Sequence, residues 1–207
     1  MLYFRDSSNI TNPGIVMKKK IAIFASGSGT NAEKIMSYFK HHEVGEVAIV
    51  LSNKPDAYVL ERAGKFNIPT HVFNRDRFYN STEVIDLMID REISLVVLAG
   101  FLWLVPAALI RAFPDRMINI HPALLPDYGG KGMYGKYVHE AVIRNQEKES
   151  GISIHFVNEV YDDGKIIRQE KCEVKPDDTP ESLAQRIHIL EHKYYPLVIE
   201  ELLQGLD

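Results

Sequence analysis

Residues Ile21 to Ala25 form an unbroken apolar run, and Ser26-Gly27-Ser28-Gly29-Thr30-Asn31 ends it. Such a run reads as a strand buried on both faces. A helical pattern follows, with Ala32, Ile35, Met36 and Phe39 spaced to share one side. Strand, glycine turn and amphipathic helix in that order predict the first unit of a parallel α/β sheet.

The alternation continues. Strands are expected at Val47–Leu51, Thr70–Phe73, Leu95–Ala99 and Met117–Ile120. Between them, helices are expected at Ala57–Phe66, Asn80–Asp90 and Ala107–Phe113, the second with Asn80 as N-cap and Glu83 in the capping-box position. The predicted fold is α/β, a doubly wound, mostly parallel, Rossmann-like sheet. The pattern then changes. Gly129-Gly130-Lys131-Gly132 reads as a flexible loop and Lys136–Asn145 as a helix. Ile152–Val157 and Lys165–Val174 flank the acidic turn Asp162-Asp163-Gly164, which predicts an antiparallel hairpin. Asp178-Thr179-Pro180-Glu181 opens a long last helix to about Leu203, with a break expected at Pro196.

No linker composition divides residues 17–207, so a single domain is expected there. Residues 1–16 are polar and aperiodic, ahead of Met17, and are expected to be a disordered extension. A chain of 207 residues suits one α/β domain. The net charge is −4 and no long basic run occurs, which disfavours a nucleic-acid partner. The single cysteine, Cys172, excludes an internal disulfide framework and fits a free thiol in a reducing, cytoplasmic setting. No apolar run approaches the roughly 20 residues that span a bilayer, so no membrane partner is expected.

Three places carry chemistry. The turn Gly27-x-Gly29-x-x-Ala32 loosely fits the dinucleotide fingerprint, yet Leu51-Ser52-Asn53-Lys54 offers no carboxylate for a ribose. It also lacks the Gly-Lys-Ser/Thr of a triphosphate loop. A site for one phosphate remains, with amides near Gly29 and Asn31 and the Thr30 hydroxyl; the alternative is simply a tight turn. Asn119 and His121 lie two apart at a strand end, hence on one face, and together can donate to one developing oxyanion. The alternative is a capped strand terminus. Asp162 or Asp163 can serve turn geometry alone, or one can lean over the strand ends and raise the pKa of His121.

These residues resemble the folate-dependent formyltransferase family, through Leu98-Ala99-Gly100-Phe101, Asn119-Ile120-His121-Pro122-Ala123-Leu124-Leu125-Pro126, Ser153-Ile154-His155-Phe156-Val157, Asp162-Asp163-Gly164 and Glu191-His192. Ser26-Gly27-Ser28-Gly29-Thr30-Asn31 narrows the resemblance to the branch acting on glycinamide ribonucleotide. The resemblance covers Lys18 to about Leu203. It implies transfer of a formyl group from 10-formyltetrahydrofolate to the amine of that ribonucleotide, in purine biosynthesis. It implies Asn119, His121 and Asp162 as the catalytic set, with Asp162 matching the family's Asp-x-Gly. It places Gly29, Thr30 and Asn31 on the phosphate, and His188 and Glu191 on the ribonucleotide. Leu102, Trp103, Leu104 and Val105, with Asn158, Glu159, Val160 and Tyr161, would line the folate pocket. Trp103 stands where the family commonly has arginine, and Thr82 where some relatives carry another basic residue, with Arg75 and Arg77 near Thr82 in the chain as substitutes.

No metal is expected: His188 and His192 share a predicted helix face but no zinc motif surrounds them. Small-molecule substrates and a monomer or homodimer are expected. The rivals are a relative acting on a sugar amine or methionyl-tRNA, the latter expected to carry a basic C-terminal domain, and a non-catalytic nucleotide-binding module.

Overall fold

A computed structural model describes residues 18–206. The extension expected over residues 1–16 lies outside the described residues. Seven strands form one sheet: β1 (Lys19–Phe24), β2 (Gly45–Ser52), β3 (Thr70–Val72), β4 (Ile93–Leu98), β5 (Met117–His121), β6 (Glu149–Phe156) and β7 (Ile166–Glu173). Their order is β3-β2-β1-β4-β5-β6-β7. The five strands from β3 to β5 are parallel; β6 and β7 join antiparallel. This is the doubly wound sheet with a C-terminal hairpin that the alternating pattern predicts.

Both faces of the sheet are covered. Ile21 and Ile23 pack on one side with α1 (Thr30–Phe39), α2 (Tyr58–Lys65), α6 (Lys136–Arg144) and α7 (Pro180–Gln204). Ala22 and Phe24, alternating with them, face α3 (Arg75–Tyr79), α4 (Glu83–Asp90) and α5 (Ala107–Ala112). Burial on both sides is why β1 and β4 read as unbroken apolar runs. Helix α1 buries Ala32, Ile35, Met36 and Phe39, the four residues its spacing picks out.

Two expectations differ from the structure. The predicted helix Asn80–Asp90 begins only at Glu83, as α4, and a separate short helix, α3, precedes it. Asn74 caps α3, its side chain accepting from the Arg77 N–H at 2.9 Å, and Asn80 closes α3 instead of opening α4. Asn80 is the wrong cap because its side chain donates back to Asp76. The break expected at Pro196 is absent: α7 runs 25 residues through it. Thr179 and Ser182 cap its start reciprocally. At the proline, the Tyr195 hydroxyl donates to the Leu98 carbonyl at 2.9 Å, and Val198 and Ile199 are fully buried. Tertiary contacts on both sides hold the helix through the lost backbone bond.

The winding reverses between β1 and β4. The first half of the chain steps outward to β2 and β3, then returns to β4 beside β1. A crevice therefore opens beyond the carboxyl ends of β1, β4 and β5, where ligands of such folds sit.

Candidate active site

A cavity of about 600 Å³ fills that crevice. Its floor is the end of β5, where strand alternation sends Asn119 and His121 to the same face. The β6–β7 turn reaches over them. Gly164 sits so close to the Phe156 carbonyl that no side chain fits there. Asp162 adopts φ 54°, in the left-handed region that Asp tolerates better than most residues. This tight turn aims the Asp162 carboxylate at the strand ends.

Three residues thus meet. His121 Nδ1 lies 3.5 Å from Asp162 Oδ2, and Asn119 Nδ2 lies 3.5 Å from Asp162 Oδ1. Asn119 Nδ2 also contacts His155 Nε2 at 3.2 Å. The His155 Nδ1 faces the Phe156 carbonyl at 2.9 Å, so Nδ1 carries the proton and Nε2 accepts from Asn119. By the same logic His121 Nε2, 2.7 Å from the Tyr128 carbonyl, must donate to it. The neutral His121 ring therefore turns an unprotonated Nδ1 toward Asp162. Asp163 is exposed and accepts from the Asn158 amide instead.

The electrostatics correct one expectation. Asp162 does raise the pKa of His121, but burial outweighs it and holds the imidazole below the ordinary histidine value. The ring is 3% exposed, so water cannot solvate its cation. Burial by itself would raise Asp162. Contact with His155, the His121 charge and the Gly130 N–H together hold the carboxyl below the usual range instead. The resting pair is thus a carboxylate beside a neutral imidazole.

The glycine turn forms the next wall. Gly29 adopts φ 72° and a Cβ there would run into Val59, so only glycine lets α2 pack under the turn. The Gly29, Thr30 and Asn31 backbone amides open α1, whose first turn leaves its N–H groups without helical partners. The Asn31 side chain is engaged: its Nδ2 donates to Glu191 Oε2 at 2.9 Å. Glu191, 5% exposed, also takes the His188 Nδ1 at 2.8 Å. That bond draws the His188 pKa above its ordinary value. His192 stacks on His188, as their shared helix face predicts. Ser26 ties the turn to the opposite wall by accepting from the Leu102 N–H at 3.0 Å.

The opposite wall is apolar. Leu102, Trp103, Leu104 and Val105 line it, with Asn158, Val160 and Tyr161 across from them. Glu159 does not line the cavity; its carboxylate lies 3.2 Å from Arg111. Trp103 closes a cluster with Phe73, Phe78, Tyr79 and Phe101. The Arg75 guanidinium lies over Tyr79 and Trp103, 5.0 and 5.6 Å from their ring centres. Arg77 is drawn off to Glu83.

Several groups here escape sequence reasoning. The Gly130 N–H donates to Asp162 at 2.9 Å, and the Tyr128 carbonyl takes His121. Backbone groups leave no mark on residue identity. His139 is buried and lines the cavity from α6; a polar residue on the apolar side of an amphipathic pattern is the only sign of it in the residues. Among the described residues, no cluster of His, Cys, Asp and Glu is arranged to hold a metal ion, and no helix is long and apolar enough to cross a membrane.

Residues 19–199 match the formyl transferase family. The chain is 43% identical over 188 residues to a chloroplastic phosphoribosylglycinamide formyltransferase of Arabidopsis thaliana, a match covering 88% of this chain and 64% of that protein. It therefore spans just under two thirds of that relative's length. It is 39% identical over 194 residues to the phosphoribosylglycinamide formyltransferase of Bacillus subtilis, covering 91% of this chain and 96% of that one. A crystal structure of glycinamide ribonucleotide transformylase 1 from Symbiobacterium toebii superposes with a TM-score of 0.83 at 33% identity, over 91% of this chain and 89% of that one.

Proposed function

The chain belongs to the formyl transferase family, and we propose that it moves the formyl group of 10-formyltetrahydrofolate onto the amine of glycinamide ribonucleotide, a step of purine biosynthesis. The observation that supports this most is the meeting of Asn119, His121 and Asp162 between the glycine turn at Gly27–Gly29 and an apolar cleft. The names of the relatives point the same way.

The ribonucleotide phosphate would sit on the Gly29, Thr30 and Asn31 amides, with Glu191 and His188 along its sugar. The folate would lie against Leu102 to Val105 and Tyr161. Arg75, above Trp103, is the cation placed to meet the folate's anionic tail where the family commonly carries arginine. The amine then attacks the formyl carbon, and its oxygen becomes an anion.

Asn119 is placed to donate to that oxygen. Its 3.5 Å contact with Asp162 is long for a hydrogen bond and easily exchanged for a stronger one. His121, neutral at rest, accepts the amine proton on Nδ1. The imidazolium so formed lies between the Asp162 carboxylate and the Tyr128 carbonyl, and stabilises the oxyanion as the charge develops. Collapse of the tetrahedral adduct breaks the bond to the folate nitrogen, which takes the proton back from His121. We assign both substrates as small molecules, the protein to the cytoplasm, and its assembly to a monomer or homodimer.

The test is a donor-consumption assay with competing acceptors. Loss of 10-formyltetrahydrofolate should track added glycinamide ribonucleotide one for one. Formylation of a sugar amine or methionyl-tRNA in its place would overturn the substrate assignment. Ribonucleotide binding without turnover would favour the non-catalytic reading.

A further inference from the structure

One short turn touches both members of the central pair. The Tyr128 carbonyl lies 2.7 Å from His121 Nε2, and two residues later the Gly130 N–H donates to Asp162 Oδ2 at 2.9 Å. The far side of this turn is pinned to the rest of the protein. The Tyr128 hydroxyl donates to Glu147 Oε1 at 2.6 Å and accepts from Asn145 Nδ2 at 2.9 Å. Asn145 closes α6 and Glu147 lies in the connection to β6. Tyr128 itself has φ 56°, a left-handed conformation a tyrosine keeps only when its surroundings hold it.

The geometry points to Tyr128 as a positioning residue for His121: its pinned carbonyl keeps the imidazole proton on Nε2, leaving Nδ1 free to face Asp162 and the cavity. Two acceptors compete for the one proton of the neutral ring. A carboxylate beside Nδ1 would ordinarily draw the proton there. The shorter contact to the Tyr128 carbonyl opposes it. With the proton on Nδ1, the ring could not receive one from an attacking amine at that atom. The groups facing the ring are Asp162, His155 and Glu191, and those facing the phenol are Glu147, Asn145 and Asp127. None of the others offers Nε2 an acceptor at hydrogen-bond distance. The assignment rests on the proposed reaction only in giving His121 a task; the tautomer is a property of the free protein.

The test is nitrogen NMR on protein labelled with 15N-histidine, at mildly alkaline pH and without substrate. In the wild type, the His121 shifts should report a proton on Nε2. Tyr128→Phe keeps the ring and the turn but removes the anchor, and should move the population toward Nδ1. In the formyl-transfer assay kcat should fall about fivefold, the size of one net hydrogen bond, with the ribonucleotide KM within about twofold. Glu147→Gln retains an acceptor for the phenol and should keep the wild-type spectrum and rate. If Tyr128→Phe does not fold, Glu147→Ala removes the anchor from the other side and must shift the tautomer the same way. A wild-type ring protonated on Nδ1 overturns the proposal, as does an anchor variant with unchanged shifts and kcat. Because the spectrum needs no substrate, its failure is separate from failure of the proposed reaction.

Discussion

His121 Nδ1 faces Asp162 Oδ2 at 3.5 Å, too far for a good hydrogen bond and near enough for strong coupling of charge. Burial keeps the imidazole neutral while the carboxylate works against it. The NMR titration midpoint of His121 should therefore lie below 6.5. Asp162→Asn removes the main group that raises it, so the midpoint should fall further. A midpoint above 6.5, or one that rises in Asp162→Asn, would contradict this balance.

The glycine turn gives a stability test. Gly29 is left-handed and a Cβ there strikes Val59, whereas a Cβ at Gly27 meets nothing within 4 Å. Gly29→Ala should cost about 2–4 kcal/mol from backbone strain plus overpacking, and Gly27→Ala less than about 1 kcal/mol. Urea unfolding of the two variants measures the difference. Equal losses would mean the turn does not depend on α2 packing under it.

Acid should weaken the fold. Burial lowers the pKa values of His121, His139 and His192, so below about 6.5 the unfolded chain binds more protons than the native one. Their contribution is complete above the unfolded value and is lost as pH falls below it. His188 is raised and acts oppositely, its contribution present at low pH and lost as pH climbs through its folded value. Three against one, the melting temperature should drop between neutral pH and pH 5.5. A constant melting temperature over that span would contradict the assigned shifts.

Much of this was legible in residue patterns, for a physical reason. Strands buried on both faces leave unbroken apolar runs, and β1 and β4 show them. The pair Asn119 and His121 was legible because strand alternation is a local rule. The choice of Asp162 over Asp163 was open on residue chemistry alone, because turn composition suits both; the φ of 54° and the Gly164 contact are what separate them. The helix boundary at Asn80 was misread because Asn caps either end of a helix, and only the Asp76 contact decides. The state of His121 was misread because a partner in the sequence says nothing of burial. Tyr128 and Gly130 act through backbone atoms, which every residue has.

The proposed ribonucleotide site should respond separately from the chemistry. Thr30→Val removes a hydroxyl at the glycine turn and should raise the ribonucleotide KM several-fold with little change in kcat, as expected for binding shared equally by ground and transition states. A fall in kcat at constant KM would place Thr30 in the reaction instead.

The most direct measurement is steady-state formyl transfer by Asp162→Asn beside Asp163→Asn. Asn tolerates the left-handed backbone at 162, so the turn survives while the carboxylate is lost. Asp162→Asn should lose about 10²–10³-fold in kcat with ribonucleotide affinity retained, and Asp163→Asn should stay near wild type. Full activity in Asp162→Asn, with loss in Asp163→Asn, would contradict the account.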